Sequence, residues 1–105
     1  MLLERLQESG IELPKIFKPR DKRKIAAASK KGDESRREAV RLCAHNNVDR
    51  VSGRLRGNPD LRTLAEYFLR NEQEIALSYL EKTAKTGKHA SPRLSAYLLI
   101  DAAIG

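Results

Sequence analysis

A chain of 105 residues, 40% hydrophobic and 33% charged, holds one domain's worth of sequence with apolar content for a single small core. It carries 21 Lys and Arg against 14 Asp and Glu, a net charge of +7. One cysteine excludes an internal disulfide, and the longest apolar run, Ala96 to Ile100, falls far short of the roughly 20 residues of a membrane span.

Helical punctuation runs along nearly the whole chain. Leu2, Leu3 and Leu6 predict a short amphipathic turn of helix, closed at Ser9-Gly10. Pro14 and Pro19 break the next stretch into an extended connector, pinned to the core by Ile11, Leu13, Ile16 and Phe17. Arg20 to Lys31 is rich in Ala and Lys, which suits a helix, and Gly32 stops it. Ser35 and Glu38 have capping-box spacing and predict a helix from there to about Asn46, with Ala39, Val40, Leu42 and Cys43 inward. Val48, Val51 and Leu55 form a further stripe at helical spacing, closed by Gly57.

Asn58-Pro59 supplies an N-cap and a proline at the first helical position. Leu61, Leu64, Ala65 and Phe68 then predict one buried face. Asn71 and Glu74 repeat the capping-box spacing, and Ile75, Ala76, Tyr79, Leu80 and Thr83 predict the next face, ending at Gly87. Ser91-Pro92 opens a last helix that is apolar nearly all round, with Asp101 in its midst. Such a helix is either central to a bundle or half-covered by a partner. No alternating β-branched run competes as strand. The expected fold is all-α, a compact bundle of five to seven short helices in a single domain, 1–105.

The charge is unevenly spread. Residues 1–56 hold 15 bases and 8 acids, whereas 57–105 hold 6 of each, so a basic half is joined to a neutral, apolar half. Between Lys15 and Arg41 there are 11 bases and 4 acids. A surplus confined to one segment points to a polyanion partner.

Enzyme chemistry finds no constellation. His45, His89 and Cys43 are too few and too scattered for a zinc site. Cys43 and His45, two apart on a helix, point in different directions and cannot make a thiolate–imidazole pair; Cys43 reads as a small core residue. Gly87-Lys88 fails as a phosphate loop, because the earlier glycine falls at Lys82 and the next residue is His89. No catalytic residue, metal or cofactor is expected.

The arginine spacing is more telling. Arg37 and Arg41 stand at i, i+4, and so do Arg50 and Arg54. Like charges so placed repel, and twice in succession they imply something anionic opposite. With Lys22, Arg23, Lys24, Arg36 and Arg56 they make the expected phosphate-gripping set, guanidinium forks binding bidentately and ammonium groups adding attraction. Lys82, Lys85, Lys88 and Arg93 form a secondary basic patch near the start of the last helix, with His89 among them. A helix-turn-helix over Leu64–Ile75 is a weaker alternative: Leu69 stands where the turn usually has glycine, and Glu72, Gln73 and Glu74 would bring acids to phosphates.

A basic, all-helical, one-domain chain with Arg36, Arg37, Arg41, Arg50 and Arg54 on successive helices resembles the small helical subunits of CRISPR effector complexes. The resemblance lies in size, charge and helix content, with no motif to transfer. It implies copies stacked along other protein subunits and contacts to guide RNA or displaced DNA. The expected function is thus a non-enzymatic module binding RNA or single-stranded DNA with little base selectivity, as a subunit of a larger ribonucleoprotein. The alternatives are a protein–protein adaptor or inhibitor with a basic face, and the helix-turn-helix regulator. The N-terminus lacks a signal-peptide pattern, so the expected setting is cytoplasmic, away from any membrane.

Overall fold

The last helix organises the molecule because it has no polar side to give to water. In the computed structural model, which describes residues 2–105, it runs from Pro92 to Ile104, and every residue from Leu94 to Ala102 is buried. The other elements wrap it. In chain order they are α1 (Leu2–Glu8), a single 3-10 turn (Leu13–Lys15), α2 (Pro19–Ser29), α3 (Asp33–Arg56), α4 (Pro59–Thr83) and the last helix, α5. Helices α1, α3 and α4 and the 3-10 turn all pack on α5, while α2 lies mainly against α3. Burial of each large aliphatic side chain of α5 stabilises the fold by about 1.5–3 kcal/mol, so this one helix anchors the core. Among the described residues the fold is all-α with five α-helices; the apolar last helix is central rather than a face left for a partner. No described helix is long and apolar enough to cross a membrane.

Local signals set the ends of most elements. The Asn58 side chain accepts from Leu61 N–H at 3.1 Å, and Ser91 Oγ accepts from Leu94 N–H at 3.2 Å, each followed by proline at the first helical position. Gly32 joins α2 to α3 at φ 123°, a conformation that side chains with a Cβ rarely adopt. The connector is pinned as expected: Ile11, Leu13 and Phe17 are fully buried, Ile16 is half-buried, and Phe17 C=O accepts from Ala90 N–H.

Three boundaries differ from expectation. Helix α3 starts at Asp33, so Ser35 lies within its first turn rather than capping it. The break expected at Asn46-Asn47 is instead a kink at Ala44 (φ −143°, ψ 47°), after which the helix resumes at once. Helix α4 passes through residues 69–74 without a turn, because Leu-Arg-Asn-Glu-Gln-Glu contains no breaker and Asn71-x-x-Glu74 spacing alone does not stop a helix. A helix-turn-helix centred there is therefore excluded.

The faces also differ. On α4 the buried positions are Leu61, Ala65, Glu72, Ala76 and Leu80, whereas Leu64 and Tyr79 are about half exposed and Ile75 more so. On α3, Leu42 points to solvent and Cys43 is only half-buried.

Truncating the centre of α5 tests its anchoring role. Leu98→Ala should lower unfolding stability by about 3 kcal/mol, read from urea denaturation, because the fully buried site cannot collapse around the missing methyls. Leu42→Ala should change it by less than about 0.5 kcal/mol.

Candidate nucleic-acid interface

Arg36 and Arg37 of α3 face an anion, and that anion is internal. Arg36 is 1% exposed; its Nη2 donates to Asp101 Oδ2 at 2.9 Å and its Nη1 to Asp33 Oδ1 at 2.8 Å. Arg37 donates from Nε and Nη2 to Asp101 Oδ1, each at 3.3 Å, and from Nη1 to Glu34 Oε1 at 2.9 Å. Two guanidinium groups thus clasp the one carboxylate of α5, and three carboxylates answer two cations. Burial alone would lower both arginine pKa values, but the carboxylate bonds outweigh it and hold them above the ordinary range. Arg41 Nη2 donates to Ala102 C=O at 2.9 Å, at the C-terminal end of α5, where carbonyls lack helical partners and the helix dipole favours a cation. Arg50 Nη1 donates to Gly10 C=O at 3.2 Å and ties α3 to the end of α1.

These contacts correct the expected phosphate-binding set. Arg36 is a core residue. Arg37 and Arg41 are half-buried and directed at α5, and Arg50 is exposed but tied to the loop after α1. Arg54 and Arg56 are exposed and make no ion pair among the described residues. Lys22 is buried, with Nζ donating to Thr86 Oγ1 at 2.7 Å; burial, then the like charges of Arg23 and Lys88, lower its pKa. In the secondary patch, Arg93 is held bidentately by the buried Glu72, with Nε to Oε2 at 2.7 Å and Nη2 on Oε1. Lys82, Lys85 and Lys88 remain exposed.

What remains is a basic stripe along α2 and the turn that ends it. Arg20, Arg23, Lys24, Lys30 and Lys31 are all exposed, and none makes an ion pair among the described residues. At 100° per residue Arg20, Arg23, Lys24 and Ala27 share one face, which Lys31 continues just past the helix end, over about 16 Å. The only acid on α2, Asp21, accepts from Lys18 N–H at 3.1 Å in the first turn. Lys24 and Lys31 also line an open groove of about 370 Å³ between α2 and α3, with Leu42 and the single acid Glu38. By contrast, the larger groove between α2 and α4, about 640 Å³, sets Lys30 beside Glu74 and Glu81 and is mixed in charge. The bond from Lys22 to Thr86, and the influence of Lys88 on Lys22, place the loop after α4 beside this helix.

Within the stripe, Arg23 and Lys24 were expected as site residues from sequence, and Arg20, Lys30 and Lys31 were not. Their signal is present: cations at i, i+3, i+4 and i+11 around small alanines, on a helix with one acid. No three His, Cys, Asp or Glu side chains come together as a metal site among the described residues. Comparison with protein-family models, with curated proteins and with solved structures finds no match to this chain.

Removing the shared carboxylate tests the clasp. Asp101→Ala leaves two buried or half-buried guanidiniums without their partner and should lower stability by about 3–5 kcal/mol in urea denaturation. Burial, and then the charge of Asp21, push the Cys43 thiol above the ordinary thiol range. Its alkylation rate against pH should therefore have a higher midpoint in the folded chain than in the same chain unfolded in urea.

Proposed function

We propose that the chain is a non-enzymatic nucleic-acid-binding module that holds a phosphate backbone, RNA or single-stranded DNA, against the outer face of α2. The observation that supports this is the run of five exposed cations on one short helix and its closing turn, none of them answered by a carboxylate of the fold. Arg36, Arg37 and Arg41 are turned inward, and among the cations left to solvent, which include Lys15, Lys18, Arg54 and Arg56, the stripe on α2 is the densest run. Lys85 and Lys88, on the loop beside α2, extend the same potential.

Recognition of this kind is electrostatic and sequence-tolerant. The stripe carries no aromatic side chain for base stacking, and the exposed Tyr67 and Tyr79 belong to α4. Arg20 and Arg23 offer planar forks to phosphate oxygens, while the lysines act as point charges. A place as a subunit of a larger ribonucleoprotein fits this weak, general grip. Of Arg36, Arg37, Arg41, Arg50 and Arg54, which carry the resemblance to CRISPR small subunits, the first three serve the fold. Phosphate binding is therefore proposed on α2 rather than on Arg36, Arg37 and Arg41, while Arg54 stays exposed.

Fluorescence anisotropy with unrelated single-stranded RNA and DNA oligonucleotides, repeated at rising salt, tests the reading. Contact with four or five phosphates predicts log affinity falling by about 3 for each log unit of salt. The triple variant Arg23→Glu, Lys24→Glu, Lys31→Glu should bind at least about 100-fold more weakly at low salt. Its urea midpoint should stay near that of the unaltered chain, since all three side chains are exposed. Absence of binding by the unaltered chain, as an adaptor for an acidic protein would show, overturns the proposal, as does full binding by the variant.

A further inference from the structure

The outer face of α4 carries apolar side chains that the fold does not use. Tyr67 is 63% exposed, Ile75 60% and Leu64 47%, with Tyr79 close to Leu64 in exposure. At 100° per residue Leu64, Asn71 and Ile75 fall within about 40° of one another, and Tyr67 and Tyr79 flank them on opposite sides. They make a single ridge about 22 Å long. On its flank, Ile75, Ala76, Tyr79 and Leu94 line a hollow of about 200 Å³, so the surface beside the ridge is apolar as well. Scattered exposed apolar residues need no explanation, but a continuous ridge on one helix does.

The charges around the ridge are self-complementary. Asp60 and Lys82, within about 40° of Leu64 around the helix, are exposed and make no ion pair among the described residues. A two-fold axis crossing α4 near Asn71 would lay a second α4 antiparallel on the first. Leu64 then meets Tyr79 of the second copy, and Tyr67 meets its Ile75. In the same register Asp60, on the face of the ridge, meets Lys82 of the second copy, and symmetry makes the pair twice. The two Asn71 side chains meet at the axis, where carboxamides can donate to and accept from each other. A parallel, in-register pairing would instead bring Asp60 to Asp60 and Lys82 to Lys82 along the seam, which is repulsive.

We propose that the ridge of α4 is a homodimer interface, occupied by the same ridge of a second copy in antiparallel register about Asn71. This does not rest on nucleic-acid binding, because the ridge and the α2 stripe share no residue. The contact is small, so the dimer is weak, with a dissociation constant on the order of 100 µM.

Sedimentation equilibrium of the full chain, without oligonucleotide, from about 10 µM to 1 mM tests it against that scale. The expected result is a monomer–dimer equilibrium that Ile75→Asp abolishes while the urea midpoint is kept, since position 75 is exposed. Lys82→Asp alone opposes two acids across the seam, at positions 60 and 82. Asp60→Lys alone opposes two bases at the same positions, so each variant should weaken association at least about 10-fold. Mixed together, the two single variants become complementary and should form a heterodimer at least as tight as the unaltered dimer. A chain that stays monomeric throughout leaves the ridge to a different protein and overturns the proposal. Dimers indifferent to Ile75→Asp, or a mixture no tighter than its separate components, overturn it too.

Discussion

The fold depends on the carboxylate of Asp101 being answered by two arginines. A lone charge in the middle of an apolar, buried helix is strongly unfavourable unless it is hydrogen-bonded and paired. Asp101 receives three donated bonds from Arg36 and Arg37, which are neighbours on α3, and Arg41 one turn on reaches the last carbonyls of the same helix. Apolar packing between α3 and α5 is tolerant of sliding and rotation; this set of bonds is not. It fixes which turn of α3 meets the end of α5, and every element that packs on α5 inherits that placement.

The same interaction decides what is left for a ligand. The first half of the chain owes its +7 surplus to 15 bases, but Lys22, Arg36, Arg37 and Arg41 are directed inward and hold elements together. A basic composition is thus not the same thing as a basic surface. Here the densest part of the surface share lies on α2, a helix that rests on α3 and turns its cations outward.

What the sequence made legible follows from range. Caps and stops are local chemistry, and Gly10, Gly32, Asn58-Pro59 and Ser91-Pro92 mark real element ends. The central place of α5 was legible as one of two outcomes, since a helix apolar on all sides has few ways to avoid water. The spacing of Arg37 and Arg41 suggested an anion opposite, and Arg37 alone of the two meets one, Asp101, while Arg41 meets a backbone carbonyl. The identity of that anion was hidden because Asp101 lies 64 residues from Arg37 in sequence and periodicity carries no information at that distance. Faces were read less well on α4: a helix with apolar residues around more than half its circumference does not say which of them its neighbours will cover. The signal that misled there, Leu64 and Ile75 at helical spacing with Ala65 and Ala76, is the union of a core face and an exposed ridge.

The two proposed surfaces have a physical relation. Four or five phosphate contacts on a single α2 give an affinity that physiological salt erodes severely, since each neutralised phosphate adds to the salt dependence. Pairing two chains through α4 would set two stripes in one particle and turn the second contact on a strand into an intramolecular one. Effective concentrations of that kind raise avidity by orders of magnitude without any new contact to the nucleic acid. The gain is reciprocal: a strand long enough to engage both stripes stabilises a dimer that is weak by itself, because linkage requires each equilibrium to favour the other. The proposed stripe and ridge, each modest alone, would together support cooperative assembly on a polyanion, each strengthening the other.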